Sequence, residues 1–134
     1  MAGEKSRAKG RDFERKARKW LEEQGWIVVK NTNQVDLEKK EQHQCKPLFN
    51  PFTKSFMMNS GGFPDFICYR RFGAGIHGGY NVVGVEVKYA KYLSKEEKEK
   101  CNWLLDNHIY SKIYIVSHML ENNKSKIYMR EYEK

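Results

Sequence analysis

The fold is decided by two apolar runs, GFPDFICY at residues 62–69 and VVGVEVKY at residues 82–89, which are separated by a glycine-rich gap. Both runs are typical of β-strands. Because strand side chains alternate between the two faces of a sheet, Glu86 and Lys88 are expected to share one face. Asp65 opens the neighbouring run. Two carboxylates and an ammonium group placed together on a rigid sheet suit a divalent cation and a phosphate oxygen.

The composition is that of a single globular domain. The chain has 134 residues, of which 40% are hydrophobic and 31% charged, and this balance excludes a disordered protein. No apolar run approaches the roughly 20 residues that a membrane helix needs, and the polar N-terminus is not typical of a secretory signal. Three cysteines at no metal-like spacing favour a reducing, cytoplasmic setting.

Positive charge is concentrated at the N-terminus. The net charge is +8, and the first 20 residues alone hold eight basic and three acidic side chains. Such a segment favours a polyanionic partner, and nucleic acid is a better match than a membrane surface because large apolar residues are few there. A solvated helix face is the simpler alternative. The side chains expected to contact nucleic acid are Lys5, Arg7, Lys9, Arg11, Arg15 and Arg18.

The periodicity of the chain predicts an α/β fold. A helix is expected from about Arg7 to Gly25, with an apolar face made of Phe13, Ala17, Trp20 and Leu21. A second helix is expected to begin at Ser94, because Ser94 and Glu97 have the spacing of a capping box. Strands are expected at 26–30, 65–69, 81–90, 112–118 and 126–132, the last of them at a sheet edge.

Residues 31–61 are expected to be an insertion with no element beyond one helical turn at 37–42, since so long a gap is unusual in a compact domain. Its aromatic residues either stack on opened bases or fill a small separate core; they are Phe49, Phe52 and Phe56, with Tyr80 from the later loop. His43 and Cys45 form one pair without the second pair that a zinc site requires. Cys101 has no base at a readable spacing, and we interpret it as a core residue.

Glu14 lies at the border of the apolar face of the first helix, beside Leu21. From the helical pattern alone it is either an ordinary glutamate paired with Arg18 one turn later, or a carboxylate that reaches across a sheet edge to the charged cluster. The pattern leaves both interpretations open.

The chain resembles the PD-(D/E)XK nuclease superfamily, through Pro64-Asp65 followed by Glu86-Val87-Lys88 and through its αβββαβ order. Residues 9–15 and 20–30 are similar to the opening of archaeal Holliday junction resolvases. Residues 62–65 and 93–96 are similar to the VRR-Nuc branch. The resemblance implies a restriction-endonuclease-like core, with a mixed central sheet flanked by helices. It also implies an active site made of Glu14, Asp65, Glu86 and Lys88.

What the resemblance implies chemically is a divalent-metal-dependent endonuclease. Asp65, Glu86 and the Val87 carbonyl would hold Mg²⁺, for which Mn²⁺ could substitute, and the cation would activate a water. Lys88 would orient that water or stabilise the charge on the phosphate, and Glu14 would act through a water or a second cation. The expected partner is DNA, in branched form, cut by a homodimer during recombination or repair.

Other functions stay open at this point. A VRR-Nuc-like enzyme would act on flaps or single strands, an RNA-processing nuclease would differ only in its substrate, and a non-catalytic basic factor would bind nucleic acid without cutting it. The resolvases have a short link where this chain carries residues 31–61, so the resemblance covers the chain except for about 31–60.

Overall fold

Two α-helices, nine strands and one turn of 3₁₀-helix make up the part of the chain that the computed structural model describes, residues 2–45, 48–57 and 61–134. In chain order they are α1 (Ala2–Glu23), β1 (Ile27–Lys30), β2 (Asn33–Asp36), β3 (Glu41–Gln44), β4 (Leu48–Asn50), β5 (Ser55–Met57), β6 (Phe66–Phe72), the 3₁₀ turn (Gly75–His77), β7 (Gly79–Lys88), α2 (Lys95–Asp106), β8 (Ile113–Glu121) and β9 (Lys124–Glu131).

The central sheet has five strands in the order β1-β6-β7-β8-β9. Strands β7 and β8 are parallel, and the other neighbouring pairs are antiparallel, so the sheet is mixed. A parallel pair needs a crossover connection, and α2 supplies it between β7 and β8. The predicted mixed α/β fold is therefore confirmed, including the edge position of the last strand, β9.

The helices pack on opposite faces of the sheet. On one face, the predicted apolar residues of α1, with Trp20 only half-buried, cover Val28, Cys68 and alternate residues of β7, namely Val83 and Val85. On the other face, α2 buries Cys101 and Leu104 against Ile113 and Ile115. The alternation of strand residues thus explains why Glu86 and Lys88 face α2 while Val83, Val85 and Val87 face α1.

Helix α1 begins at Ala2, five residues before the predicted start. The segment from Ala2 to Ser6 contains no proline, and its alanine, glutamate and lysine residues are good helix formers, so the helix continues towards the N-terminus. Its end agrees with the prediction, because Gly25 adopts φ +93°, a left-handed conformation that favours glycine. Within the described residues, no helix has the length and apolar character needed to cross a membrane.

The predicted helical turn at 37–42 is wrong, since the insertion contains two β-hairpins instead. Strand β2 pairs with β3, and β4 pairs with β5. In the first hairpin, the Asp36 carboxylate accepts hydrogen bonds from the N–H groups of Glu38 and Lys39, and Lys40 adopts φ +54°. An aspartate that bonds the next backbone groups closes a turn, and it competes with a helix for the same residues.

Candidate active site

Asp65 and Glu86 meet at the end of the sheet where β6 begins. In the antiparallel register of β6 and β7, Phe66 pairs with Val85. Asp65, which precedes Phe66, therefore lies opposite Glu86, which follows Val85. The Asp65 N–H donates to Glu86 Oε1 at 3.0 Å, and the Val87 N–H donates to Asp65 Oδ2 at 2.8 Å. The two predicted carboxylates, 21 positions apart in the chain, are therefore held side by side by backbone hydrogen bonds.

Asn31 positions the loop that carries Asp65. Its side chain is fully buried and donates to the Pro64 carbonyl at 2.8 Å, while its backbone N–H donates to the Asp65 carbonyl at 3.0 Å. The same loop passes so close to the segment after β1 at Gly62 that only glycine fits, because a Cβ there would lie 2.4 Å from the Asn33 carbonyl oxygen. Sequence reasoning missed Asn31, since an asparagine after a strand is the ordinary sign of a loop.

The Glu86 carboxyl is the most buried acidic group of the site, with 6% of the residue exposed. Burial raises its pKa well above the usual range, and the neighbouring Asp65 and Glu97 raise it further. Burial also raises the pKa of Asp65, against the opposing effect of its hydrogen bonds with Glu86 and the Val87 N–H. The pair therefore holds a proton more strongly than isolated carboxyls do, and a cation would compete for the same oxygens.

Lys88 lies on the same face as Glu86 and forms an ion pair with Glu97, with 2.9 Å between Nζ and Oε2. Glu97 also accepts from the Ser94 N–H at 2.8 Å, which completes the predicted capping box of α2. Burial raises the pKa of Glu97, but the Ser94 N–H and the Lys88 ammonium outweigh it, so the pKa is lowered overall. The capping pattern identified Glu97, but only the structure brings it to Glu86 and Lys88.

Glu14 on α1 lies near enough to Asp65 for its charge to act on the pKa of that residue, and its own partner is Lys30. Its Oε1 accepts from Lys30 Nζ at 2.5 Å, and the charges of Glu14 and Lys30 act in opposite directions on the pKa of Asp65. Arg18 instead donates to the Val28 carbonyl at 2.9 Å, so the interpretation of Glu14 as the partner of Arg18 is wrong. Lys30 was not predicted to belong to the site, because a lysine at the end of a strand cannot be distinguished by sequence from an ordinary surface lysine.

A basic cleft opens beside this cluster. Its volume is about 610 Å³, and it is bounded by α1, by the segment after β1, and by Cys45 and Gly61. Three of the predicted nucleic-acid-binding residues line it, Arg11, Arg15 and Arg18, together with Glu14 and Lys30. The side chains of Lys5 and Arg7 lie outside the described part, and Lys9 lies elsewhere, over the ring of Tyr89.

The aromatic side chains that the structure describes in the insertion, and Tyr80 of the later loop, are exposed and not packed in a separate core. Phe52 is 95% exposed at the tip of the second hairpin, and Phe49 and Tyr80 are more than half exposed. The Phe56 side chain lies outside the described part. Cys101 is buried, and burial raises its pKa to about 12, which agrees with its interpretation as a core residue and not a nucleophile.

The donor atoms at the carboxylate pair suit a hard cation. Among the described residues, no group of three or more histidine, cysteine, aspartate and glutamate side chains is arranged to hold a metal ion. Mg²⁺, however, is usually bound by one or two carboxylates, completed by water and phosphate oxygens. A strand residue directs its N–H and its carbonyl to the same side, so the Val87 carbonyl faces the edge at which its N–H meets Asp65.

A scan against protein-family models, a search of curated proteins and a search of solved structures each found no match for the chain.

Proposed function

We propose that this protein is a divalent-metal-dependent endonuclease that hydrolyses DNA phosphodiester bonds. The observation that carries the proposal is the Asp65–Glu86 pair, in which a half-buried and a buried carboxyl, both with raised pKa values, are held together by hydrogen bonds from backbone N–H groups. Glu14 and Lys88 flank the pair. Perturbed acidic groups gathered in this way occur chiefly where a site binds a cation or performs chemistry.

The topology supports a restriction-endonuclease-like core. Strands β1, β6 and β7 form an antiparallel meander after α1, and α2 then leads to β8, which is parallel to β7. This is the αβββαβ order of the PD-(D/E)XK nucleases, with the two hairpins inserted after β1. The carboxylate pair lies at the start of β6 and near the end of β7, where the sequence motif of those enzymes would place it.

Each residue then has a distinct role. Asp65, Glu86 and the Val87 carbonyl would hold Mg²⁺ or Mn²⁺, which when bound polarises the phosphate and makes a water more acidic. Because the pair holds a proton more strongly than isolated carboxyls do, its two carboxyls would have to lose that proton before they could hold a cation. Lys88, which is paired with Glu97, would face the phosphate as a positive charge and stabilise the negative charge that develops there. Glu14 and Lys30 border the pair on the α1 side.

The basic cleft supports nucleic acid as the substrate. Arg11, Arg15 and Arg18 are positioned to track phosphates, and such contacts bind without reading sequence and weaken as salt increases. Branched DNA is the first substrate to test. Resolution of a junction needs two symmetric cuts, and hence a two-fold homodimer.

The test is a cleavage panel with Mg²⁺ or Mn²⁺ on a four-way junction, a flap, a single strand, a linear duplex and RNA. Asp65→Asn keeps an oxygen for the Val87 N–H but removes the negative charge. Cleavage should fall more than about 100-fold, because even the outer-shell partners of a metal site contribute about 10- to 100-fold. Binding in EDTA should be unchanged or tighter.

Asp106→Asn is the matched control, since it changes the net charge equally at an exposed aspartate that pairs with Lys134. It should cut at the wild-type rate. If Asp65→Asn cuts as fast as the control, the assignment of the active site is wrong. If the wild-type chain binds DNA but cuts none of the substrates, the remaining interpretation is a non-catalytic binding factor.

A further inference from the structure

Three aromatic rings meet on the α1 side of the sheet, at the end where the carboxylate pair lies. The rings of Tyr89 and His118 stack in parallel, with centroids 4.5 Å apart and 9° between their planes. Phe13 meets both edge-on, with centroids 5.4 Å from Tyr89 and 6.2 Å from His118. The three rings come from α1, the end of β7 and β8, so the fold brings together residues that are distant in the chain.

A small cavity adjoins these rings. Its volume is about 180 Å³, below the roughly 300 to 1,000 Å³ of sites for drug-sized ligands, so it has room for one planar ring system. Lysines stand at its rim, and Asp12, the one acidic residue among its described lining residues, is paired with Lys16 at 3.8 Å. The lining residues are Lys9, Asp12, Phe13, Lys16, Tyr89, His118, Ser125 and Ile127.

We propose that this cavity, which we name the stacking pocket (Phe13, Tyr89 and His118, with Lys9 and Lys16 at the rim), binds one unpaired nucleobase of a nucleic-acid strand. Sites for single strands combine aromatic rings, on which bases stack, with cations that contact the phosphates. The stacking pocket has both. The inference rests on the proposed function for its link to cleavage, but binding can be tested without it.

The Lys9 ammonium now lies over the Tyr89 ring, 4.2 Å from its centroid. An exposed cation–π contact is weaker than the stacking of a base on an aromatic ring, so an incoming base replaces the ammonium. The lysine side chain is long enough for the released ammonium to contact the phosphate of the same nucleotide. Lys9 therefore covers the ring in the free protein and contributes charge in the complex.

Residues of the stacking pocket and of the charged cluster are neighbours along the chain in two places. Tyr89 follows Lys88, and Phe13 precedes Glu14, so both pairs of neighbours place one side chain in the pocket and the other at the charged cluster. Because neighbours on a strand point to opposite faces, Tyr89 lies on the α1 face and Lys88 on the α2 face. A nucleic-acid strand would contact both sites by passing around this end of the sheet. Bases within a duplex are paired and stacked on each other, so the pocket selects substrates that carry an unpaired base beside the cut.

Photo-crosslinking tests the position of the base. The wild-type chain is mixed in EDTA with a single-stranded oligonucleotide that carries 5-iodouracil, a base that crosslinks to stacked aromatic side chains on irradiation. Mass spectrometry of the digested product should locate the crosslink at Tyr89 or His118. Crosslinks found only at other residues would overturn the proposal.

Affinity measurements in EDTA test the contribution of the rings. Tyr89→Leu and His118→Leu keep apolar volume but lose the aromatic plane, and they should weaken single-strand binding by about 10-fold or more. Tyr89→Phe should bind as the wild type does. Tyr128→Leu is the matched control, because Tyr128 is a partly exposed tyrosine on the opposite face of the sheet. Thermal unfolding verifies that each variant is folded.

Equal single-strand affinity in folded Tyr89→Leu, His118→Leu and Tyr128→Leu would contradict the proposal, as would an equal loss for linear duplex. The two proposals fail separately. If single-strand binding depends on Tyr89 but no substrate is cut, the endonuclease proposal is wrong and the stacking pocket stands. If the chain cuts DNA and the leucine variants bind single strands like the wild type, only the stacking pocket is wrong.

Discussion

Replacing Glu86 by glutamine should remove a pH-dependent loss of stability from the metal-free protein. Burial, followed by the charges of Asp65 and Glu97, raises the pKa of Glu86 well above its usual value of 4.5. Folding therefore favours the protonated carboxyl. Its contribution to stability is fully present below about pH 4.5 and is lost as the pH rises through the folded-state pKa. Glutamine stays neutral and keeps an oxygen for the Asp65 N–H.

The size of the effect follows from this linkage. Between 4.5 and the folded-state pKa, one such group lowers the free energy of unfolding by up to about 1.4 kcal/mol for each pH unit. For a chain of this length, that is about 4 to 7 °C of melting temperature per pH unit. The raised pKa of Asp65 also makes the free energy of unfolding fall as the pH rises, and it does so in both proteins. The lowered pKa of Glu97 changes the free energy of unfolding only below pH 4.5.

The assay is thermal unfolding followed by circular dichroism, in EDTA, from pH 5 to pH 8. The melting temperature of the wild type should fall more steeply than that of Glu86→Gln. Mg²⁺ at 100 times its Kd should then stabilise the wild type by about 2.7 kcal/mol at pH 8, and the variant far less. Parallel melting curves for the two proteins across this pH range would refute the reasoning.

Three further predictions concern the core, a helix cap and the nucleic-acid surface. Leu104→Ala should lower the free energy of unfolding in urea by about 2 to 5 kcal/mol, whereas Leu120→Ala, at an exposed position, should change it by less than about 0.5 kcal/mol. Ser94→Ala should cost about 1 kcal/mol in the same assay, and Ser94→Gly only a few tenths, because glycine is a better cap than alanine. Arg15→Gln should reduce the slope of log affinity for duplex DNA against log salt by about 0.9, a change that Lys112→Gln at the opposite end of the sheet should not produce.

Local patterns in the chain predicted most of the fold. The apolar period of 3.6 identified α1 and its buried face, and the capping box identified the start of α2 at Ser94. The alternation along β7 placed Glu86 and Lys88 on one face before any contact was known. These features depend on residues within a few positions of one another, and backbone geometry makes such short-range patterns readable.

The insertion was predicted less well for the same reason. Its strands are only three or four residues long, which is too short for alternation to rise above chance, and charged residues fill the first hairpin. The turn is set by the hydrogen bonds of a single side chain, Asp36. A short charged segment can favour a helical turn or a hairpin, and pairing with a neighbouring strand decides between them.

In the candidate site, too, short-range patterns were predictable and contacts between distant residues were not. The sequence by itself determined which residue types were available, the motif of Asp65, Glu86 and Lys88, and the excess of positive charge before it. Only the tertiary structure decided that Asn31 fixes the Asp65 loop from 33 positions away and that Lys30 meets Glu14 across 16 positions. Contacts between residues so far apart in the chain depend on how α1 and the loops pack against the sheet, and the pattern of neighbouring residues does not determine that packing.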